Sequence, residues 1–197
     1  MKRFFFMLVL AFMPWAMHAQ GMWNLDKNHS QVLFTVSHMM FSEVMGALRD
    51  FDVKFESAKE DFSDAQISAT IKTSSIDTQN ERRDGHLKAE DFLNAEKYPE
   101  IKFKSMRVEK AGNNTYKIHG ELTIRDVTKP VVLETTYRGM IDDPWGNKRI
   151  SFKATTTINR FDFGVSWNKA LETGGLIAGK DVQITLLMQF VRPKQQG

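Results

Sequence analysis

The strongest constraint in this sequence is a period of two. Val32, Phe34 and Val36 alternate with Leu33, Thr35 and Ser37; Phe51, Val53 and Phe55 alternate with Asp52, Lys54 and Glu56; Ala65, Ile67, Ala69 and Ile71 alternate with Gln66, Ser68, Thr70 and Lys72. Successive side chains of a strand point to opposite faces, so this spacing predicts strands with one apolar and one polar face. Further strands are expected over 101–108, 116–124, 131–141, 148–158 and 182–191, which makes eight in all. Turn residues separate them at Gly112-Asn113-Asn114, at Asp142-Asp143-Pro144-Trp145-Gly146-Asn147, and at Gly174-Gly175 with Gly179. Connections this short join neighbouring strands antiparallel. Pro99, Pro130, Pro144 and Pro193 fall at expected strand ends or connections, where a missing backbone donor costs least. Two stretches depart from the period. A helical turn is expected over 41–45, and one or two short helices over 78–93, with Thr78 and Glu81 as a capping box.

The N-terminus reads differently. Lys2-Arg3 precede an apolar run over 4–13, and Pro14 breaks it before Ala16-Met17-His18-Ala19, the order of a secretory signal peptide. The run is too short to span a bilayer, which takes about 20 apolar residues. Residues 1–19 are therefore expected to be removed on export to the periplasm, leaving 20–197 as a single domain without a transmembrane anchor. No cysteine stands at the cleavage site to carry a lipid. Removal of Lys2 and Arg3 leaves 25 basic against 24 acidic residues, a balance of +1, so a nucleic-acid-binding surface is not expected. Hydrophobic content of 42%, with Phe 15, suffices for a core, and Cys 0 excludes disulfides, thiolate metal sites and a cysteine nucleophile.

Eight antiparallel strands in an exported chain can close with the apolar face inside, or outside against lipid with a polar lumen. Trp 4 and Tyr 3 are too few, and too irregularly placed, to form interfacial girdles, and a helical insertion divides the third strand from the fourth. These features favour the apolar face inside. An eight-stranded interior is just wide enough to be filled by side chains or to hold one small molecule. The expected lining is Val32, Phe34, Val36, His38, Phe51, Val53, Phe55, Ile67, Phe103, Leu122, Phe152, Ile158 and Trp167.

His29, His38, His86 and His119 show none of the short spacings that place metal ligands on one face of an element, so no metal site or cofactor is expected; buried, hydrogen-bonded histidines are the expectation. Arg83, Asp84 and His86 come nearest to a catalytic cluster, since a carboxylate can orient an imidazole as a base. No nucleophile elbow, metal motif or phosphate loop accompanies them, and an ion pair tying a short helix to the barrel is the expected role. Arg82, Arg83 and Arg160 would alternatively meet an anionic head group if they stand at the barrel mouth. Around Trp167 two readings stay open: a structural corner in which Gly164 takes an unusual backbone angle, or an aromatic that caps the interior.

Several blocks match a known family. Asp26-Lys27-Asn28-His29-Ser30 leads into Val32, Phe34, Val36 and His38, then Val44 and Gly46; Arg83-Asp84-Gly85-His86-Leu87 precedes Asp91-Phe92 and Tyr98-Pro99. Gly120-Glu121-Leu122-Thr123-Ile124, Val127-Thr128-Lys129-Pro130, Pro144-Trp145-Gly146 and Arg160-Phe161-Asp162-Phe163-Gly164-Val165 follow in order. Together they resemble the YceI-like, polyisoprenoid-binding proteins over nearly all of the mature chain. The resemblance implies an extended, lipocalin-like, all-β antiparallel barrel in the periplasm. Its interior would hold a long isoprenoid or other amphiphilic lipid; with the apolar strand faces and the export segment, the expected role is transport, storage or sequestration of that lipid, without catalysis and with transient membrane contact. Asp126 stands where the family commonly has Gly, and Leu48 where an aromatic is common; these are expected to alter a turn and one end of the interior. The rival readings are an enzyme acting on a bound lipid through His38, His86 or Asp84, and a stress-related structural module with a packed core and no ligand.

Overall fold

The computed structural model describes residues 22–168 and 176–193. The expected export segment, residues 1–19, lies outside the described residues. Eleven strands are described: β1 (Met22–Leu25), β2 (Gln31–His38), β3 (Ser42–Leu48), β4 (Phe51–Glu56), β5 (Gln66–Lys72), β6 (Ile76–Asp77), β7 (Glu100–Gly112), β8 (Thr115–Ile124), β9 (Val127–Asp142), β10 (Lys148–Asn159) and β11 (Ala178–Arg192). One helix, α1 (Glu81–Lys88), joins β6 to β7. The strands work as eight, because β1 with β2, β3 with β4, and β5 with β6 are each one barrel strand with a bend in it.

Two of the bends are 3-10 turns. Asp26 caps a 3-10 turn over Lys27–His29 by accepting a hydrogen bond from the Asn28 N–H, which interrupts β1 and β2. A 3-10 turn over Thr73–Ser75 interrupts β5 and β6, and the buried Thr73 hydroxyl donates to the Tyr98 carbonyl at 2.7 Å. All pairings are antiparallel, and β1 closes the ring by pairing with β4 at Trp23 and Phe55 and with β11 at Asn24 and Val191. The protein is thus an eight-stranded, closed, antiparallel β-barrel with one helix, as the period of two predicted. Phe51, Val53 and Phe55 point inward and are buried, whereas Asp52, Lys54 and Glu56 point outward and are exposed. An outer wall carrying such charges does not face lipid.

Three expectations are corrected. Residues 42–48 form β3, paired with β2 from Val32–Leu48 to His38–Ser42, and not a helical turn. The cap of α1 is Asn80, whose side chain accepts from the Arg83 N–H, and not Thr78. Pro130 lies within β9, opposite Glu121, rather than at a strand end. There β9 has β8 on one side, while β10 joins it only from Glu134 onward, so the proline occupies an edge where a missing donor is tolerated.

Candidate functional site

The barrel interior is not filled. A cavity of about 410 Å³ runs through it, walled by Val36, Val53, Ile71, Ile118, Leu122, Ala154, Val182, Ile184 and other apolar side chains. At one end an aromatic cluster closes the barrel. The Phe55 ring lies 4.9 Å from Phe190 and 5.5 Å from Phe152, and Phe62 lies 5.2 Å from Tyr137 and 5.4 Å from Phe152. Offset and edge-on rings at these separations pack favourably beyond the area they bury.

The opposite end is the mouth. Here the cavity reaches exposed residues, Ser37 at the end of β2 and His86 on α1. The mouth is partly covered by three rings: His86 stands edge-on 4.8 Å from Phe92 and 5.0 Å from Trp167, and Phe92 lies 5.0 Å from Trp167. Of the polar side chains that border the cavity, Ser37, His38, Arg83, His86 and Arg160 stand toward this end, while Tyr116 and Thr135, paired across β8 and β9, stand toward the plug.

Of the expected lining, Val32, Phe34, Val36, His38, Val53, Phe55, Ile67, Phe103, Leu122, Phe152, Ile158 and Trp167 border the cavity. Phe51 does not. It starts β4 at the bend after β3, paired with Ile71, and its ring is packed into the surrounding core. Leu48, where an aromatic is common in the family, also borders the cavity, and the Asp126 carboxylate accepts from the Tyr98 hydroxyl at 3.1 Å.

Arg83, Asp84, His86 and Arg160 form no single cluster. Arg83 and Asp84 make no ion pair with one another; both converge on buried Thr78. The Asp84 carboxylate accepts from the Thr78 N–H and hydroxyl, while the Arg83 Nε donates to the same hydroxyl at 2.7 Å and its Nη2 to the Thr78 carbonyl at 2.8 Å. A neutral threonine is therefore the pin that fastens α1 to the barrel. His86 Nε2 lies 2.9 Å from the Asp91 carboxylate.

Arg160 is 6% exposed; its guanidinium donates to the carbonyls of Gly179 at 2.8 Å, Val165 at 2.7 Å, Trp167 at 2.8 Å and Ala178 at 3.0 Å, and lies over the Phe161 ring at 4.6 Å. Burial pushes its pKa down from the ordinary value. With these donors engaged, Arg160 acts as a clamp that holds the Trp167 segment against the start of β11. Gly164 adopts a φ of 72° beside it, so the corner and the aromatic cap are parts of one arrangement.

The histidines differ from expectation. His29, His86 and His119 each stand near a carboxylate, Asp26, Asp91 and Glu109 respectively, but His29 and His86 are exposed and His119 is half-buried. Among the described residues no group of three or more His, Asp or Glu is placed to hold a metal ion, and no helix is long and apolar enough to cross a membrane.

Sequence reasoning missed Phe62, Tyr137 and Phe190 of the aromatic plug and Phe92 of the mouth. Extending the period of two along β11 would have found Phe190 together with Val182, Ile184 and Leu186. Phe62 sits in the β4–β5 connection at a φ of 56°, where no periodicity exists to reveal it.

Residues 23–190 match the model of the YceI-like domain. A UPF0312 protein of Pseudomonas putida strain W619 is 41% identical over 152 residues, covering 76% of this chain and 78% of that protein. The crystal structure of Burkholderia cenocepacia BcnA superposes with a TM-score of 0.74 at 22% identity, covering 84% of this chain and 99% of that one. A polyisoprenoid binding domain from Saccharophagus degradans, implicated in plant cell wall breakdown, superposes with a TM-score of 0.64 at 12% identity, covering 87% and 98%. The two solved structures share the barrel, and the family match spans nearly every described strand: this chain belongs to the YceI-like domain family.

Proposed function

We propose that this protein is a periplasmic lipid-binding protein that carries, stores or sequesters one long isoprenoid or similar amphiphile in its barrel and does not turn it over. The observation that carries the proposal is the cavity of about 410 Å³ with almost wholly apolar walls. Small-molecule sites occupy roughly 300–1,000 Å³. The Phe152 to Ile158 stretch of β10 that borders the cavity spans about 20 Å of strand, a length suited to an extended chain. An apolar tail gains about 25 cal/mol per Å² on leaving water, so the walls need supply few polar contacts. Because the charged and imidazole side chains that border the cavity, His38, Arg83, His86 and Arg160, gather at the mouth, the head group sits there and the tail points toward the aromatic plug. The polyisoprenoid binding of the Saccharophagus neighbour supports the ligand class. The signal-like segment at residues 1–19 supports export.

Catalysis is the weaker reading. His86, paired with Asp91, borders the cavity, but its imidazole is wedged against Phe92 and Trp167 as part of the mouth.

Native mass spectrometry of protein isolated from its own compartment, with organic extraction of the released mass, tests the proposal. An isoprenoid or acyl lipid in one-to-one ratio is the expected result. Ala154→Phe should retain the fold and lose the added mass, because Ala154 is a small wall residue midway along the cavity. A wild-type protein that stays free of lipid after incubation with geranylgeraniol and with fatty acids would overturn the proposal.

A further inference from the structure

The hairpin between β2 and β3 ends in side chains that the fold itself does not use. Met39, Met40 and Phe41 form its tip and are 46%, 73% and 94% exposed; Met45, on β3, is 67% exposed. The turn is also costly in backbone terms. Met39 and Met40 have φ of 53° and 58°, a region that hairpin turns normally fill with Gly, Asn or Asp. Apolar residues thus occupy a place where turn chemistry favours others and where the barrel gives their side chains little cover.

The tip stands at the cavity mouth. Ser37, His38 and Val44 of the same hairpin border the cavity, and the Met39 N–H donates to the carbonyl of Ile177, another residue of the cavity wall. From this juxtaposition we infer that the 39–41 tip is a membrane-docking element, which enters the acyl boundary of a bilayer and sets the mouth against the lipid source. The inference rests on the lipid-binding reading above, and it names the surface through which the ligand enters.

A bilayer fits this tip better than a protein partner does. A standard protein interface needs about 800 Å² per partner and complementary shape, more than one narrow hairpin end offers. Flexible methionines and one phenylalanine enter an acyl layer without shape matching. Among the described residues of the hairpin and of the β11 end beside it, Glu43 with Lys180 and Asp181 balance to −1, so these residues offer no cationic patch to anionic lipid. Trp145, 77% exposed in the β9–β10 connection, lies at the plugged end and serves as an internal control.

The chain contains no cysteine, so Phe41→Cys and Trp145→Cys each give one attachment point for a polarity-sensitive dye. On phosphatidylcholine vesicles the dye at position 41 should shift to the blue and the dye at 145 should not. Loading of geranylgeraniol from such vesicles should slow at least tenfold in Met40→Asp/Phe41→Asp and stay unchanged in Trp145→Asp. Uptake of the same alcohol dispersed in detergent should be equal in all three proteins. Normal uptake from detergent, combined with no shift at 41 or with wild-type loading by the double variant, overturns the docking element and leaves the tip to a protein partner. Failure of the wild-type protein to take up the alcohol from either source overturns the lipid-binding reading itself.

Discussion

At Thr78 a single hydroxyl serves both Arg83 and Asp84, and its methyl group faces Gly46 of β3 so closely that a Cβ on that glycine would lie 2.8 Å away. The residue therefore locks α1 and β3 together from one buried point. Thr78→Val keeps the shape and removes the hydroxyl, leaving the Arg83 Nε without its partner. The expected cost is about 1–3 kcal/mol, read as a lower urea midpoint, with faster amide exchange in α1 than in β10. Gly46 has a second neighbour, the Phe34 ring opposite it, which would lie 2.4 Å from an added Cβ. The aromatic ring occupies the space that a side chain at position 46 would have filled.

That substitution also explains what the sequence did not disclose at the level of elements. In β3 the inward positions are Val44, Gly46 and Leu48, and the outward ones include the exposed Met45. A glycine facing in and a methionine facing out erase the period that made β2 and β4 legible. β1 escaped notice because four residues carry too little pattern. The α1 cap was misread because the Thr78 hydroxyl is engaged by the Arg83 and Asp84 side chains, while Asn80 supplies the cap. Most of the cavity wall was legible because it is the inward half of alternating strands; Phe62 of the plug and Phe92 and Trp167 of the mouth sit in connections, which have no period.

The β9–β10 connection holds another arrangement hidden from pattern reading. Asp143, within its turn, accepts from the Trp145 and Asn147 N–H groups, and Arg149 bridges Asp143 at 2.8 Å to Asp26 beyond β1. Burial acts to raise the Asp143 carboxyl, but bonds from the Asn147 side chain, Arg149 and the turn backbone outweigh it and hold the carboxyl at about 2, below its ordinary 3.8. A depressed native pKa stabilises the fold above the unfolded value, and that stability is lost as pH falls through the native one. The denaturation midpoint should therefore fall between pH 4 and pH 2, and fall less steeply in Asp143→Asn.

For the whole molecule, an apolar cavity makes stability depend on its contents. Ligand at about 100 times its Kd adds about 2.7 kcal/mol, which for a domain of this size raises Tm by roughly 5–10 °C. Calorimetry of delipidated protein with and without geranylgeraniol should show that rise, and Ala154→Phe should abolish it.

The seam of the ring carries a consequence in time. β1 meets β11 at Asn24 and Val191, from opposite ends of the described chain. A chain emerging from its N-terminus through a ribosome or an export channel is an open trough until β11 arrives. On the lipid-binding reading, cargo met earlier would find a wall missing, so the container would be finished before it is filled, and its cargo would come in past His86 and Trp167.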